Sequence, residues 1–266
     1  MWSDADCWIV TRYHRAVADT VEALQSFRFN DATSRVYQFI WHEFCDWYIE
    51  LVKPRLYDGT EEEKATSARV LRDVLQGRLR LLHPFMPFVT EEIWQKLPRA
   101  EGDPDSIMVA DYPIPDPTLL EDAEADRFDT LIDWVQAIRS LRVDLQVPEG
   151  AEVEVFFHAD EATTEWLRER VGWLSRLAKV KRAVPRTEGW PERSPSGFVR
   201  GIEFRIPLEG VVNRDELLTK LRRDEERLAG ELAKLEGRLK NERFLARAPA
   251  EVVEKDRAQA KELAAR

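Results

Sequence analysis

Residues 27 to 57, FRFNDATSRVYQFIWHEFCDWYIELVKPRLY, constrain the fold more than any other stretch, because their apolar positions recur at helical spacing on two adjacent lines. Val36, Ile40, Phe44, Trp47 and Leu51 follow at steps of four, four, three and four, and Tyr37, Trp41, Cys45, Tyr48 and Val52 repeat those steps one residue later. The pattern predicts one long helix covered on two sides. Asn30 or Asp31 is the expected cap. Pro54 is the expected end, since proline has no N–H and biases Lys53 away from helical geometry. Only Arg35, Gln38, His42, Asp46 and Glu50 remain as a polar strip. Aromatics at this spacing read as core, so a base-stacking ring has to lie off the stripes or at a helix end, as Tyr13 and Phe29 do.

The surrounding residues keep the helical period. Asp6 to Phe27, Asp31 to Val52, Glu61 to Leu82 and Pro87 to Leu97 read as helices, separated by Pro54, Asp58-Gly59, Pro84 and Pro98. They predict an antiparallel helical bundle over residues 1–110. Residues 101 to 118 carry four prolines in an acidic context and read as a boundary crossing. Helix resumes from Leu119 to Val143, until Pro148 and Gly150 stop it.

From Ala151 the period changes. Residues 153–158 and 201–208 alternate as strands, 180–184 form a possible third, Thr163 to Leu177 lies between as a helix, and Arg186 to Gly197 is a loop. The stretch 111–212 is therefore a small α+β unit. Beyond it, Leu221, Leu228, Leu232, Leu235 and Leu239 fall at a/d spacing among charged residues. A turn at Phe244 to Pro249 lets a second helix, Ala250 to Arg266, fold back with Val253, Ala260 and Leu263 on its contact face. Residues 213–266 then make an antiparallel coiled-coil hairpin, and the chain as a whole is mainly α.

Composition limits the function. No apolar run reaches the roughly 18 residues that a membrane span needs, and Asp4 and Asp6 stand where a secretory signal is basic, so the expectation is a cytoplasmic protein with no membrane contact. Cys7 and Cys45 can build neither a disulfide framework nor a four-ligand zinc site and read as reduced packing residues. His14, His42, His83 and His158 form no HExxH-type cluster and read as structural, so neither metal nor catalytic residues are expected. The net charge of -10 opposes nucleic-acid binding only if it is spread evenly. Residues 101 to 133 hold eleven acids and one base, Arg127, while residues 213 to 266 carry fourteen bases against twelve acids.

The segments FRFNDA, YQFIWHEFCDWYIELVKP, LLHPFMPFVTEEIW at 81–94 and NERFLARAPAEVVEKDRAQAKEL at 241–263 together resemble the anticodon-binding domain and C-terminal arm of the valyl-tRNA synthetase family. The isoleucine and leucine enzymes carry looser versions of the first runs and stay open as alternatives. The HIGH and KMSKS signatures, by which this class binds ATP, do not occur in the chain. The resemblance therefore implies a non-catalytic portion that positions tRNA(Val) for catalytic and editing domains of a parent chain. It needs no cofactor itself, while the parent uses ATP with magnesium. It also implies that a family helix preceding the Trp8 position is missing here and that one wall of the bundle is open. A monomer with no DNA partner is expected.

Candidate RNA contacts are the basic residues. Arg12 and Arg15 lie one turn apart, and Arg28 and Arg35 flank the start of the long helix; together they are the anticodon-side set. Lys234, Arg238, Lys240, Arg243 and Arg247 near the hairpin tip are the arm set, since the resemblance implies an arm that touches the outer corner of tRNA. The competing reading of a different class is a protein-interaction module in which the hairpin binds a partner helix and RNA plays no part.

Overall fold

The computed structural model describes residues 2–98, 102–186, 189–192, 194–207, 214–240 and 250–265, which divide into two compact units, Met1–Asp133 and Trp134–Arg266. In the first unit, α1 (Asp4–Gln25) opens on a capping box in which Asp6 N donates to Ser3 Oγ at 3.2 Å and Ser3 N donates to Asp6 Oδ2 at 2.9 Å. It closes on a Schellman turn. Arg28 N donates to Ala23 O at 2.8 Å and Phe27 N to Leu24 O at 3.1 Å, with Phe27 at φ 56°. Glycine is the usual occupant of that position, because left-handed geometry costs a residue with a Cβ about 1–2 kcal/mol.

Next, α2 (Phe29–Gln38), a π-helical segment (Phe39–Tyr48) and α3 (Ile49–Tyr57) run end to end as one long helix. A second capping box, Thr60 with Glu63, starts α4 (Glu61–Leu82), and α5 (Pro87–Trp94) follows the turn at His83. Two short 3-10 turns, Ile107–Val109 and Pro117–Leu119, lead into α6 (Asp122–Asp144), which passes from the first unit into the second. Buried Trp8, Ile9, Ala16, Val17, Phe39, Phe44, Tyr48, Leu51, Leu81 and Phe128 form the core of the first unit. Gly77 of α4 lies so close to α1 that a Cβ there would meet Tyr13 Oη at 2.3 Å.

The long helix departs from its sequence pattern in three ways. Neither Asn30 nor Asp31 caps it; Arg28 takes the cap position with no side-chain bond. It also runs through Pro54 to Tyr57, because Leu51 and Val52 are buried and Arg55 is anchored to Asp6 at 2.9 Å, which offsets the hydrogen bond proline removes. Finally, the second stripe is covered only at its far end. Tyr48 and Val52 are buried and Cys45 is half-buried, but Tyr37 and Trp41 are 56% and 52% exposed. The π-helical turns are the cause, since i to i−5 bonding, seen where Ile49 N donates to Phe44 O, advances the chain less per residue and rotates the stripes. Phe39 and Glu43 come inward in their place.

In the second unit, β1 (Val153–His158) pairs in parallel with β2 (Val180–Pro185) across a crossover made of α7 (Glu161–Arg168) and α8 (Val171–Ala178). The expected single helix is thus two, broken at Glu169–Arg170. A further strand, β3 (Ser196–Val199), forms a hairpin with β4 (Ile202–Arg205), and the sheet order is β2-β1-β4-β3. Both turn residues, Arg200 and Gly201, have positive φ, the geometry of a two-residue hairpin that follows strand twist. Val153, Val155 and Phe157 alternate inward, and Trp134 packs edge-on against Phe157 at 5.0 Å. The last helices are α9 (Arg214–Lys240) and α10 (Ala250–Ala265), which returns alongside α9. Leu235 is buried between them, and Leu228, Leu232, Leu239, Val253 and Ala260 are half-buried. The expected turn at 244–249 lies outside the described residues.

One buried carboxylate ties the start of α1 to the end of the long helix. Asp6 accepts from Tyr48 Oη at 2.8 Å and from Arg55 Nη1 at 2.9 Å as well as from Ser3. Burial and the adjacent carboxylate push the Tyr48 hydroxyl upward, so it stays a donor. Asp6→Ala should lower unfolding stability by about 3 kcal/mol, because it leaves Arg55 and Tyr48 without their main partner. Tyr48→Phe should cost about 1 kcal/mol. Urea midpoints of the two variants check both values.

Candidate RNA-binding surface

The four arginines of the anticodon-side set are engaged by acids. Arg12 lies between Glu43 at 3.6 Å and Asp129 at 3.5 Å, and Arg15 between Asp122 at 2.6 Å and Asp126 at 3.5 Å. Arg28 bridges Glu22 at 3.1 Å and Asp31 at 3.0 Å, while Arg35 bridges Asp19 at 3.1 Å and the buried Glu43 at 3.0 Å. The structure brings Arg12 and Arg35 together on Glu43, and Arg28 and Arg35 onto one pocket with Asp19, Glu22 and Asp31. Paired guanidiniums hold little net positive potential for a phosphate. Of the two candidate stacking rings, Tyr13 is buried and its hydroxyl is pushed up to about 12 by desolvation, whereas Phe29 is exposed.

One cation in this unit is handled differently. Arg78 of α4 is half-buried with its guanidinium carbon 4.1 Å from the centroid of Phe44 and its Nη1 donating to Cys45 Sγ at 3.5 Å. Among the described residues it has no carboxylate partner, and burial lowers its pKa. Its partners are an aromatic face and a thiol, so spacing of charges along the sequence gives no sign of it.

The acids that hold α1 come from the acid-rich segment. Trp8 Nε1 donates to Asp129 at 2.8 Å, Glu121 N donates to Thr11 Oγ1 at 3.1 Å, and Asp116 N donates to His14 Nδ1 at 3.0 Å. Residues 116–129 therefore lie along the face of α1 that carries Trp8, Thr11, Arg12, His14 and Arg15.

The arm presents its charge differently. Arg238 pairs with the buried Asp256 at 3.1 Å and Lys240 with Glu236 at 3.7 Å, while Arg243 and Arg247 lie outside the described residues. Lys234 is exposed and has no ion pair among the described residues, and the same holds for Arg222, Arg223, Lys255, Arg257 and Lys261. Three cation pairs sit at i, i+4 on the described arm helices, Arg223 with Arg227, Lys234 with Arg238 and Arg257 with Lys261, an arrangement that by itself weakens a helix. No acid stands four residues before or after Lys234, Arg257 or Lys261, a signal the sequence does contain.

Residues 6–157 match the family model described as the anticodon-binding domain of tRNA ligase, and residues 214–266 match that of the valyl tRNA synthetase tRNA binding arm. The chain belongs to the valyl-tRNA synthetase family. It is 37% identical to the valine–tRNA ligase of Symbiobacterium thermophilum over 98% of this chain and 31% of that protein. It is 40% identical to that of Geobacter sulfurreducens over 96% of this chain and 29% of the relative, and 36% identical to that of Enterococcus faecalis over 97% and 29%. The chain thus spans about three-tenths of the length of the curated relatives it matches.

No helix among the described residues is long and apolar enough to cross a membrane, and no group of three His, Cys, Asp or Glu residues there is placed to hold a metal ion. Two histidines make contacts within the fold, His83 Nδ1 with Thr90 Oγ1 at 2.7 Å and His14 accepting from the Asp116 backbone, while His42 meets Asp46 at 3.1 Å on the exposed helix surface. Burial holds the His14 pKa below its ordinary value of 6.5 against a smaller upward pull from Asp116. The unfolded chain therefore takes up this proton first. The contribution is complete above about pH 6.5 and is lost as pH falls from there through the lower folded value. Between pH 7.5 and 5.5 the urea midpoint of the wild type should fall, and His14→Asn should shrink that fall.

Proposed function

We propose that this chain is the tRNA-holding portion of a valine–tRNA ligase, arranged as a helical bundle over 1–110, a linking α+β unit over 111–212 and a tRNA-gripping arm over 213–266. Its substrate on this reading is tRNA(Val), and ATP, magnesium and valine are handled by catalytic and editing domains elsewhere in the whole protein. The observation that carries the reading is the contrast in charge. The first unit ties its candidate arginines to acids, while the arm leaves Lys234, Arg257 and Lys261 exposed beside like charges. Such a helix face gains stability when phosphates supply the missing counter-charge. The match of residues 214–266 to a tRNA binding arm supports the same assignment. Arg12, Arg15 and Arg35 act on this reading as positioning residues that hold α1, the long helix and α6 together. Lys234, Arg257 and Lys261 take the backbone contacts.

Titration with tRNA(Val) at several salt concentrations should show affinity falling linearly on logarithmic axes, and a flat response overturns the RNA reading. Reversing Lys234, Arg257 and Lys261 to glutamate should weaken binding and reduce the salt slope by roughly one for each phosphate no longer neutralised. Arg15→Ala should lower thermal stability while leaving that slope nearly unchanged.

A further inference from the structure

Phe27 is placed where the fold gains nothing from it. It occupies the left-handed position of the turn after α1 at φ 56°, a site suited to glycine. The other non-glycine residues of positive φ among the described residues are Gln146, Lys179 and Arg200, all exposed and polar. Phe27 is 79% exposed, so burial does not repay the strain, and its ring meets Phe29, itself 56% exposed, edge-on at 6.2 Å between centroids. A strained backbone that carries an unburied aromatic points to a ligand.

The neighbouring side chains say what kind. Arg28, between the two phenylalanines, lines a pocket of about 260 Å³ with Asp19, Glu22, Asp31, Ala23 and Arg35. Carboxylates outnumber guanidiniums there, and both guanidiniums are already paired. A phosphate is repelled by that set. A planar group with N–H donors on its edge is matched by it, since carboxylate oxygens accept from such donors as they do from the cytosine amino group. Resting on the RNA reading above, we propose that Phe27 and Phe29 form a stacking platform for one unpaired base of the bound tRNA. The amino or imino edge of that base meets the carboxylates beside Arg28.

The test uses the full chain with tRNA(Val) transcript and the variants Phe27→Gly and Phe27→Trp. Phe27→Gly should unfold at the same temperature or higher, because it relieves the turn, yet bind the transcript about tenfold more weakly, the scale of one stacked base. The salt slope should not change, since the ring neutralises no phosphate. Phe27→Trp should retain binding. Dimethyl sulfate footprinting should show one unpaired base protected by the wild type and by Phe27→Trp but not by Phe27→Gly. Unchanged affinity in Phe27→Gly overturns the proposal, as does equal weakening in Phe27→Trp. So does a loss of self-association in Phe27→Gly with tRNA binding intact, which would make the platform an interface between copies of the chain. The RNA reading fails separately if the wild type itself binds without salt dependence.

Discussion

The first unit depends on the ion pairs between the arginines of α1 and the acids of the segment that follows the bundle. Arg12 and Arg15 hold Asp129, Asp122 and Asp126, and Trp8, Thr11 and His14 add hydrogen bonds to the same segment. This is why the compact unit extends to Asp133, well past the proline-bearing stretch that reads as a boundary crossing. A segment with eleven acids and one base would repel itself in isolation. Laid along a basic helix face it is partly neutralised, and it screens that face from outside anions. One set of ion pairs thus fixes the extent of the unit and lowers its appeal to phosphate.

Much of this architecture is legible in the residues themselves. The Asp58-Gly59 turn before Glu61 and the strand alternation at 153–158 give the start of α4 and the bounds of β1 directly, since both rest on local chemistry. The leucine spacing likewise marks Leu228, Leu232, Leu235 and Leu239 on the contact side of α9. What fails is whatever depends on distant partners. Pro54 looks like a helix end until Asp6, 49 positions away, anchors Arg55 beyond it. The stripe through Tyr37 and Trp41 looks buried until π-helical turns rotate it, and hydrophobic period carries no mark of a change in hydrogen-bond register.

The candidate site divides along the same line. Arg15 reads as a free cation in sequence because its partners lie more than one hundred positions away, and Arg12 because neither Glu43 nor Asp129 is on its own helix. Helix charges answer mostly to neighbours within a turn, so the lack of an acid four residues before or after Lys234, Arg257 and Lys261 is visible from sequence, and in the structure none of the three has an ion pair among the described residues. Asp256 is the exception on the arm. It takes a contact-face position that the apolar pattern passes over and meets Arg238 from the other helix. A buried carboxylate on such a seam with its cation at the rim adds little net stability but penalises other registers, which suits it to setting the alignment of α9 and α10.

Local rules are broken in few places, and those breaks are informative together. Buried Asp256 on the apolar seam and half-buried Arg78 over Phe44 are charges whose partners are found within the fold. Among the described residues Lys234 has no ion pair and Phe27, in a glycine position, gains no burial. A local cost that the fold does not repay points to something outside the fold. The two uncompensated features differ in chemistry, one a cationic helix face and the other a bare aromatic beside carboxylates. They ask for a ligand that carries both phosphates and planar hydrogen-bonding groups, and a nucleic acid with unpaired bases is the biological polymer that has both.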